Sequence, residues 1–221
     1  MNQTKEVLGL FPIPVVKLSI EEDFTNEIDF LKTAEMRETD GGYYVHLQSD
    51  NTYILDLDIV SRLKTRLESE VTEYMQQILS FTQCGSITQS WVNKNSPGEA
   101  THIHAHPNSI VSGVYYMDIP ESSGIIRFHR TKHNTTYYME PTVDSTHAAG
   151  NFWAYDFIDI TVKNGDILLF PSWLQHSVPK NPTEEVRWCV AFNAMPTWGL
   201  GEERNLSAMR TKPNSEIDLP K

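Results

Sequence analysis

Residues 165–193 read GDILLFPSWLQHSVPKNPTEEVRWCVAFN, and the alternation within this stretch decides the fold. Gly165-Asp166 is a turn signal, Ile167 to Phe170 is an apolar run of strand length, and the loop after it presents His176. Further on, Arg187 opens a second strand. Successive strand side chains point to opposite faces, so Trp188, Val190 and Phe192 share one face and Arg187, Cys189, Ala191 and Asn193 share the other. The apolar face suits packing against a helical layer. The mixed face then looks into the concave side of a sheet, with Arg187 at its head. An inward arginine with no neighbouring acid needs an anionic partner, because an unpaired buried charge is costly. A ligand carboxylate gripped by the guanidinium fork would supply one. The same residues also fit a rim arginine, solvated or paired with Glu184 or Glu185.

Outward from this stretch, the chain between about Ser86 and Ala194 is a series of short β-rich runs: ITQSWVNK (87–94), IVSGVYYMDI (110–119), GIIRFHR (124–130), TTYYME (135–140) and FWAYDFIDITV (152–162). Pro-Gly, Ser-Ser-Gly and Asn-Gly turns separate them, which predicts a sandwich or barrel. No glycine-rich phosphate loop follows any run, which disfavours a nucleotide-binding fold. Before the β region, Leu10 to Ile20 reads as an edge strand or extended arm, and Phe24 to Ala34 as a short helix. Leu57, Val60, Leu63, Leu67, Val71, Tyr74, Ile78 and Phe81 recur at steps of three and four, predicting one helix over 57–81 with a single buried stripe. Residues 199–221 are polar and read as a tail. The expectation is one domain over 1–221, with an N-terminal strand and helix layer (1–85), a β-core (86–196) and the tail.

Composition bounds the function. The 221 residues carry a formal charge of −11, which argues against bulk binding to nucleic acid, since that depends on neutralising phosphates with Lys and Arg. No run approaches the ~18 apolar residues of a membrane span. The N-terminus lacks the features of a signal peptide, and two cysteines make no disulfide framework, so the expected compartment is the cytoplasm.

The eight histidines are unevenly placed. In THIHAHPNS (101–109) an extended strand would put His102, His104 and His106 on one face, until Pro107 ends the ladder. An exposed polar strand face is the ordinary reading of such a pattern. The distant His176 makes a metal site the sharper one, because two near ligands and one far ligand can present three donors to an ion.

Together, His104-Ala105-His106, SGVYYMD (112–118), GDILLFPSWLQH (165–176) and the Arg187 strand resemble the Fe(II)/2-oxoglutarate-dependent oxygenases. More narrowly, WVNKNSPGEATHIHAHPNSIVSGVYYMDIP (91–120) and LLFPSWLQHSV (168–178) are similar to an oxygenase family met in bacteria and cyanophage genomes. The resemblance covers roughly residues 8–196. It implies a mainly β fold with flanking helices, the double-stranded β-helix, a jelly-roll or cupin-like barrel. It also implies Fe(II) as cofactor, with 2-oxoglutarate and O2 consumed in oxidising, usually hydroxylating, a second substrate; a phage-encoded chain would work in its host's cytoplasm. His104, His106 and His176 take the places of the metal ligands, although the superfamily pattern has an acid where His106 stands. Glu99 and Asp118 are the alternative acids, and a pairing of His102 with His104 is the alternative register. Arg187 takes the place of the residue that binds the distal carboxylate of 2-oxoglutarate, and Tyr116 that of a tyrosine bonding the same group. Cys189 stands where many members have a serine, a better hydrogen-bond donor. Asn93 and Asn108 are further candidate cosubstrate contacts. The segment 126–150, with Arg127, His129, Arg130, Lys132 and His133, reads as a basic rim over the site or as a solvated hairpin. His46 and His147 receive no role, and the tryptophans read as packing. Two other functions suit the same pattern: a cupin-like metalloenzyme that does not use 2-oxoglutarate, and a non-catalytic barrel serving as a binding or viral structural component.

Overall fold

Twelve prolines and the short β-rich runs leave little of the chain for helix. The computed structural model describes residues 11–39, 46–130, 155–197, 199–201 and 203–209. In chain order these form β1 (Val16–Ser19), α1 (Thr25–Leu31), β2 (Met36–Glu38), β3 (Leu47–Ser49), α2 (Ser61–Glu73), β4 (Gly85–Asn95) and β5 (Thr101–His104). There follow β6 (Val111–Asp118), β7 (Ile125–His129), β8 (Phe157–Thr161), β9 (Asp166–Pro171), β10 (His176–Val178) and β11 (Arg187–Pro196). The strands make a seven-stranded sheet, ordered β1-β9-β6-β11-β4-β3-β2, and a four-stranded sheet, ordered β5-β10-β7-β8. Every pairing between strands is antiparallel. Two facing antiparallel sheets accord with the sandwich or barrel that the β runs predict, and the architecture is the jelly-roll class that the resemblance implies.

The alternation along β11 sorts two cores. Val190, Phe192 and Ala194, with Trp188 at the margin, pack with Leu63, Leu67 and Val71 of α2. Cys189 and Ala191 face the other way, into a cluster with Trp91, Val114, Tyr116, Leu168, Phe170 and Phe128 between the sheets. Burial of each large apolar side chain on α2 contributes roughly 1.5–3 kcal/mol relative to exposure. Gly113 lets β6 lie close to β11, since a Cβ there would collide with the Phe192 ring.

The helix predicted over 57–81 is shorter and less regular. Two 3-10 turns lead into α2, and a π-helical turn over Tyr74–Ile78 ends it, with Leu79 N–H donating to Tyr74 O at 3.2 Å. The wider turn rotates the stripe by about a residue. Met75, four residues after Val71, is buried, while Ile78 at the end of the wider turn is 45% exposed. The predicted run 135–140 and the rim residues Lys132 and His133 lie outside the described residues, as do His147, Trp153, Trp198 and most of the tail. Among the described residues no helix is long and apolar enough to cross a membrane.

Candidate metal centre

Strand register brings the distant histidine to the near pair. His176, the first residue of β10, pairs with His104 of β5 on one side and with Phe128 of β7 on the other. β5 ends at His104, so His106 is not on the same strand; its N–H donates to Ser172 O at 2.9 Å and turns the chain back towards His176. Pro107, which lacks a donor, follows. Alternation alone would have kept His102 with the other two. It is exposed at the outer end of β5 and stands outside the group.

His104, His106 and His176 each offer a ligand nitrogen, all within 4.8 Å of one another. His104 Nδ1 lies 2.9 Å from His102 O, and His176 Nδ1 lies 3.0 Å from Leu174 O. A carbonyl can only accept, so each Nδ1 carries the proton and each Nε2 presents a lone pair. His106 Nε2 and His176 Nε2 stand 3.3 Å apart. Adjacent nitrogens around one ion, each ~2.1 Å from it, would be separated by about 3 Å. Three neutral imidazoles suit iron, copper, zinc or nickel. The group therefore fits a transition-metal ion. Neither alternative acid joins it: the Glu99 carboxylate accepts the Ser96 N–H at 2.6 Å, and Lys32 holds Asp118.

Burial keeps these rings in the ligating form. It pulls the pKa of His106 down to about 4 and that of His176 to about 3, and neighbouring histidines add to both shifts. His104 is lowered chiefly by burial too. Sequence reasoning gave no role to His46, yet it is buried, lines the same cavity and is lowered by burial to about 4. Its Nδ1 is 3.3 Å from Thr39 Oγ1. The short strands β2 and β3 carry no periodicity that would have flagged it. In the unfolded chain these rings would titrate near pH 6.5. Below that pH the unfolded chain binds more protons than the folded one, so stability is expected to fall from about pH 6.5 to about pH 4. Urea midpoints of metal-free protein at pH 7.5 and 5 check this; an unchanged midpoint would count against rings buried neutral.

The cavity beside the histidines has a volume of about 290 Å³, near the small end of ligand sites. Arg187 reaches it from β11, only 2% exposed and without an acid partner among the described residues. Its Nη1 donates to Ser123 O and Ile125 O, both at 3.0 Å, but its Nε has no partner. Three further buried atoms on the cavity wall are unsatisfied: Tyr116 OH, Asn95 Nδ2 and Asn93 Oδ1. Register explains the convergence, because Arg187 lies opposite Asn95, and Cys189 lies opposite both Asn93 and Tyr116. Asn95 escaped the sequence reading although it shares a face with Trp91 and Asn93. Cys189 meets Asn93 Nδ2 at 4.0 Å, and burial raises its thiol pKa. Asn108 lies elsewhere, in an adjoining groove. Arg127 is not free to serve a rim, being paired with Asp159 at 2.7 and 2.8 Å and stacked on Phe157. His129 Nε2 lies 2.8 Å from Ser177 Oγ.

Residues 89–193 match the family described as "Putative 2OG-Fe(II) oxygenase". No curated protein sequence matches the chain. Among solved structures, an oxidoreductase of the 2OG-Fe(II) oxygenase family from Burkholderia pseudomallei is similar at 9% identity, with a TM-score of 0.59 over 81% of this chain and 84% of that one. The non-heme alpha ketoglutarate dependent epimerase SnoN from nogalamycin biosynthesis is similar at 15% identity, with a TM-score of 0.59 over 84% and 79%. HygX from Streptomyces hygroscopicus, solved with nickel, 2-oxoglutarate and hygromycin B bound, is similar at 13% identity, with a TM-score of 0.56 over 85% and 84%. At these identities the structures speak for the shared fold, and the family match spans the strands that carry the histidines and Arg187. The matched stretch thus resembles the 2OG-Fe(II) oxygenase family, and the fold is one that these solved oxygenases share.

Proposed function

We propose that this chain is a working 2-oxoglutarate-dependent dioxygenase that hydroxylates a second substrate. The observation that carries the reading is Arg187, a buried cation without an acid partner among the described residues, facing the cavity that the three histidines also line. In this reading His104, His106 and His176 hold Fe(II), and Arg187 binds the distal carboxylate of 2-oxoglutarate. When bound, the ion would supply O2 activation coupled to conversion of 2-oxoglutarate to succinate and CO2, the second oxygen atom entering the substrate as a hydroxyl. The protein's own part is orientation and exclusion of water. Tyr116 OH and Asn95 Nδ2 can each donate to the same carboxylate, and the apolar wall of Val114, Ile126 and Phe170 keeps the cavity dry.

The test is anaerobic addition of Fe(II) and 2-oxoglutarate, followed by the weak visible charge-transfer band of the complex. Band formation, and succinate release once O2 is admitted, are the expected results. Absence of both would overturn the reading. The lack of an acid among the ligands favours one alternative, a three-histidine cupin-like enzyme that does not use 2-oxoglutarate; it would bind metal but show no band. Tyr116→Phe should weaken 2-oxoglutarate binding roughly 5- to 10-fold, the worth of one hydrogen bond of ~1 kcal/mol. Because the hydroxyl makes no hydrogen bond of good geometry to the described residues, the unliganded fold should lose little stability. A calorimetric titration beside a thermal melt separates the two effects.

A further inference from the structure

Beyond the histidines lies a second recess, of about 390 Å³, sharing Gln48, Trp91 and His106 with the inner cavity. The inner face of β11 runs from Arg187 to Asn193, about 20 Å at strand rise. Asn193 lines this recess and not the inner cavity. A molecule seated there therefore meets the metal group from the side away from Arg187. An ion and a five-carbon diacid fit the inner cavity between the histidines and Arg187, and the adjoining groove offers room for a separate molecule beside the same histidines.

Its chemistry is unusual for a chain of net charge −11. Among the described residues no carboxylate lines it, and no aliphatic side chain other than Pro107, with Trp91 as its one aromatic wall besides His106. Four carboxamides converge on it: Gln48, Gln89, Asn108 and Asn193. Two hydroxyls, Thr52 and Thr88, join them. Asn193 is only 8% exposed, and its Oδ1 accepts from Ser112 Oγ at 2.9 Å, which leaves its amino group without a partner among the described residues. The side-chain amides of Gln48, Gln89 and Asn108 likewise make no hydrogen bond to described residues. The one cation, Arg37, has Asp50 at 3.6 Å.

Among the described residues the groove has no acid to pair an organic cation, and Trp91 and Pro107 alone are too little apolar wall for an acyl chain. Each carboxamide both donates and accepts, which matches neighbouring hydroxyls on a ring. Resting on the oxygenase reading above, we infer that the groove is the primary-substrate site and takes an uncharged, polyhydroxylated molecule, a saccharide or cyclitol.

The experiment titrates myo-inositol, sucrose, maltotriose and chitotriose into metal-free protein and into the anaerobic Fe(II)/2-oxoglutarate complex, with spermidine and decanoate as contrasts. The expected result is saturable binding of at least one neutral probe to both forms, weakened at least 10-fold in Gln89→Leu and in Asn193→Leu. Gln89→Leu is the decisive variant if Asn193→Leu fails to fold, since the Gln89 side chain makes no hydrogen bond to described residues. Binding of none of the four, binding indifferent to Gln89→Leu, or binding of spermidine or decanoate instead would each overturn the inference. Failure of the oxygenase reading shows separately, as a missing charge-transfer band, while titration of the metal-free protein still decides what the groove binds.

Discussion

Alanine at His176 is expected to remove metal retention and 2-oxoglutarate-dependent turnover together. The ring lies at the centre of the group, with centroids 4.3 Å from His104 and 5.1 Å from His106. Its Nε2 faces His106 Nε2 at 3.3 Å, and the Leu174 carbonyl fixes its tautomer. Loss of an outer partner of a metal ligand typically costs ~10–100-fold in affinity. Loss of one protein ligand of three should cost more. The side chain also packs against Phe170 at 4.8 Å and Phe128 at 6.1 Å, so some stability goes too, roughly 0.5–3 kcal/mol for a buried truncation. His176→Gln, nearer in volume, separates the two effects. Metal per chain after anaerobic Fe(II) loading and dialysis is the measurement. Wild type should hold one ion, H176A and H176Q close to none, and H102A one, because His102 stands outside the group. Full loading of H176A, or an empty H102A, would move the site elsewhere.

The absence of an acid has an electrostatic consequence. Three neutral imidazoles leave the whole charge of a divalent ion in place, whereas a carboxylate ligand would cancel one unit of it. Arg187 adds another positive charge to the same enclosed space. In the proposed reading a dianion such as 2-oxoglutarate would answer both charges. The acidic balance of the chain does not oppose this, because no carboxylate among the described residues lines the cavity.

What could be read from the sequence follows from periodicity. The alternation along β11 separated the helix-facing side chains from Arg187, Cys189, Ala191 and Asn193, and the two cores divide on those lines. It also carried the information for Asn95, two residues from Asn93 on one face of β4. Where the backbone leaves a regular period, the pattern misleads. THIHAH suggests three equivalent histidines, but β5 stops at His104 and a contact between His106 and Ser172 selects which two face His176. The π turn after α2 likewise leaves Ile78, a member of the expected stripe, at the surface. His46 and the groove depend on pairing between β3 and β4, a tertiary fact without local signature.

Methionine at Arg187 is expected to weaken 2-oxoglutarate binding at least 100-fold while leaving the unliganded fold nearly as stable. A hydrogen bond to a charged group is worth ~1.5–3 kcal/mol, and the fork offers two; a 100-fold loss corresponds to about 2.7 kcal/mol. The stability expectation runs against the usual rule for a fully buried side chain. Here the described residues give the buried cation no counter-ion, and an apolar replacement of similar length relieves that cost. Against this, Ile125 O loses a donor, whereas Ser123 O keeps the Ile125 N–H at 2.9 Å. The opposing contributions are each of order 1–3 kcal/mol and largely cancel. Thermal melts with and without 2-oxoglutarate read both halves at once. At a concentration of 100 times Kd the wild type should gain ~2.7 kcal/mol from its ligand, and R187M almost nothing. A melt of R187M that still rises with 2-oxoglutarate would remove Arg187 from the site. A ligand-free melt far below wild type would instead make the arginine structural, its charge held by the protein and not reserved for a ligand.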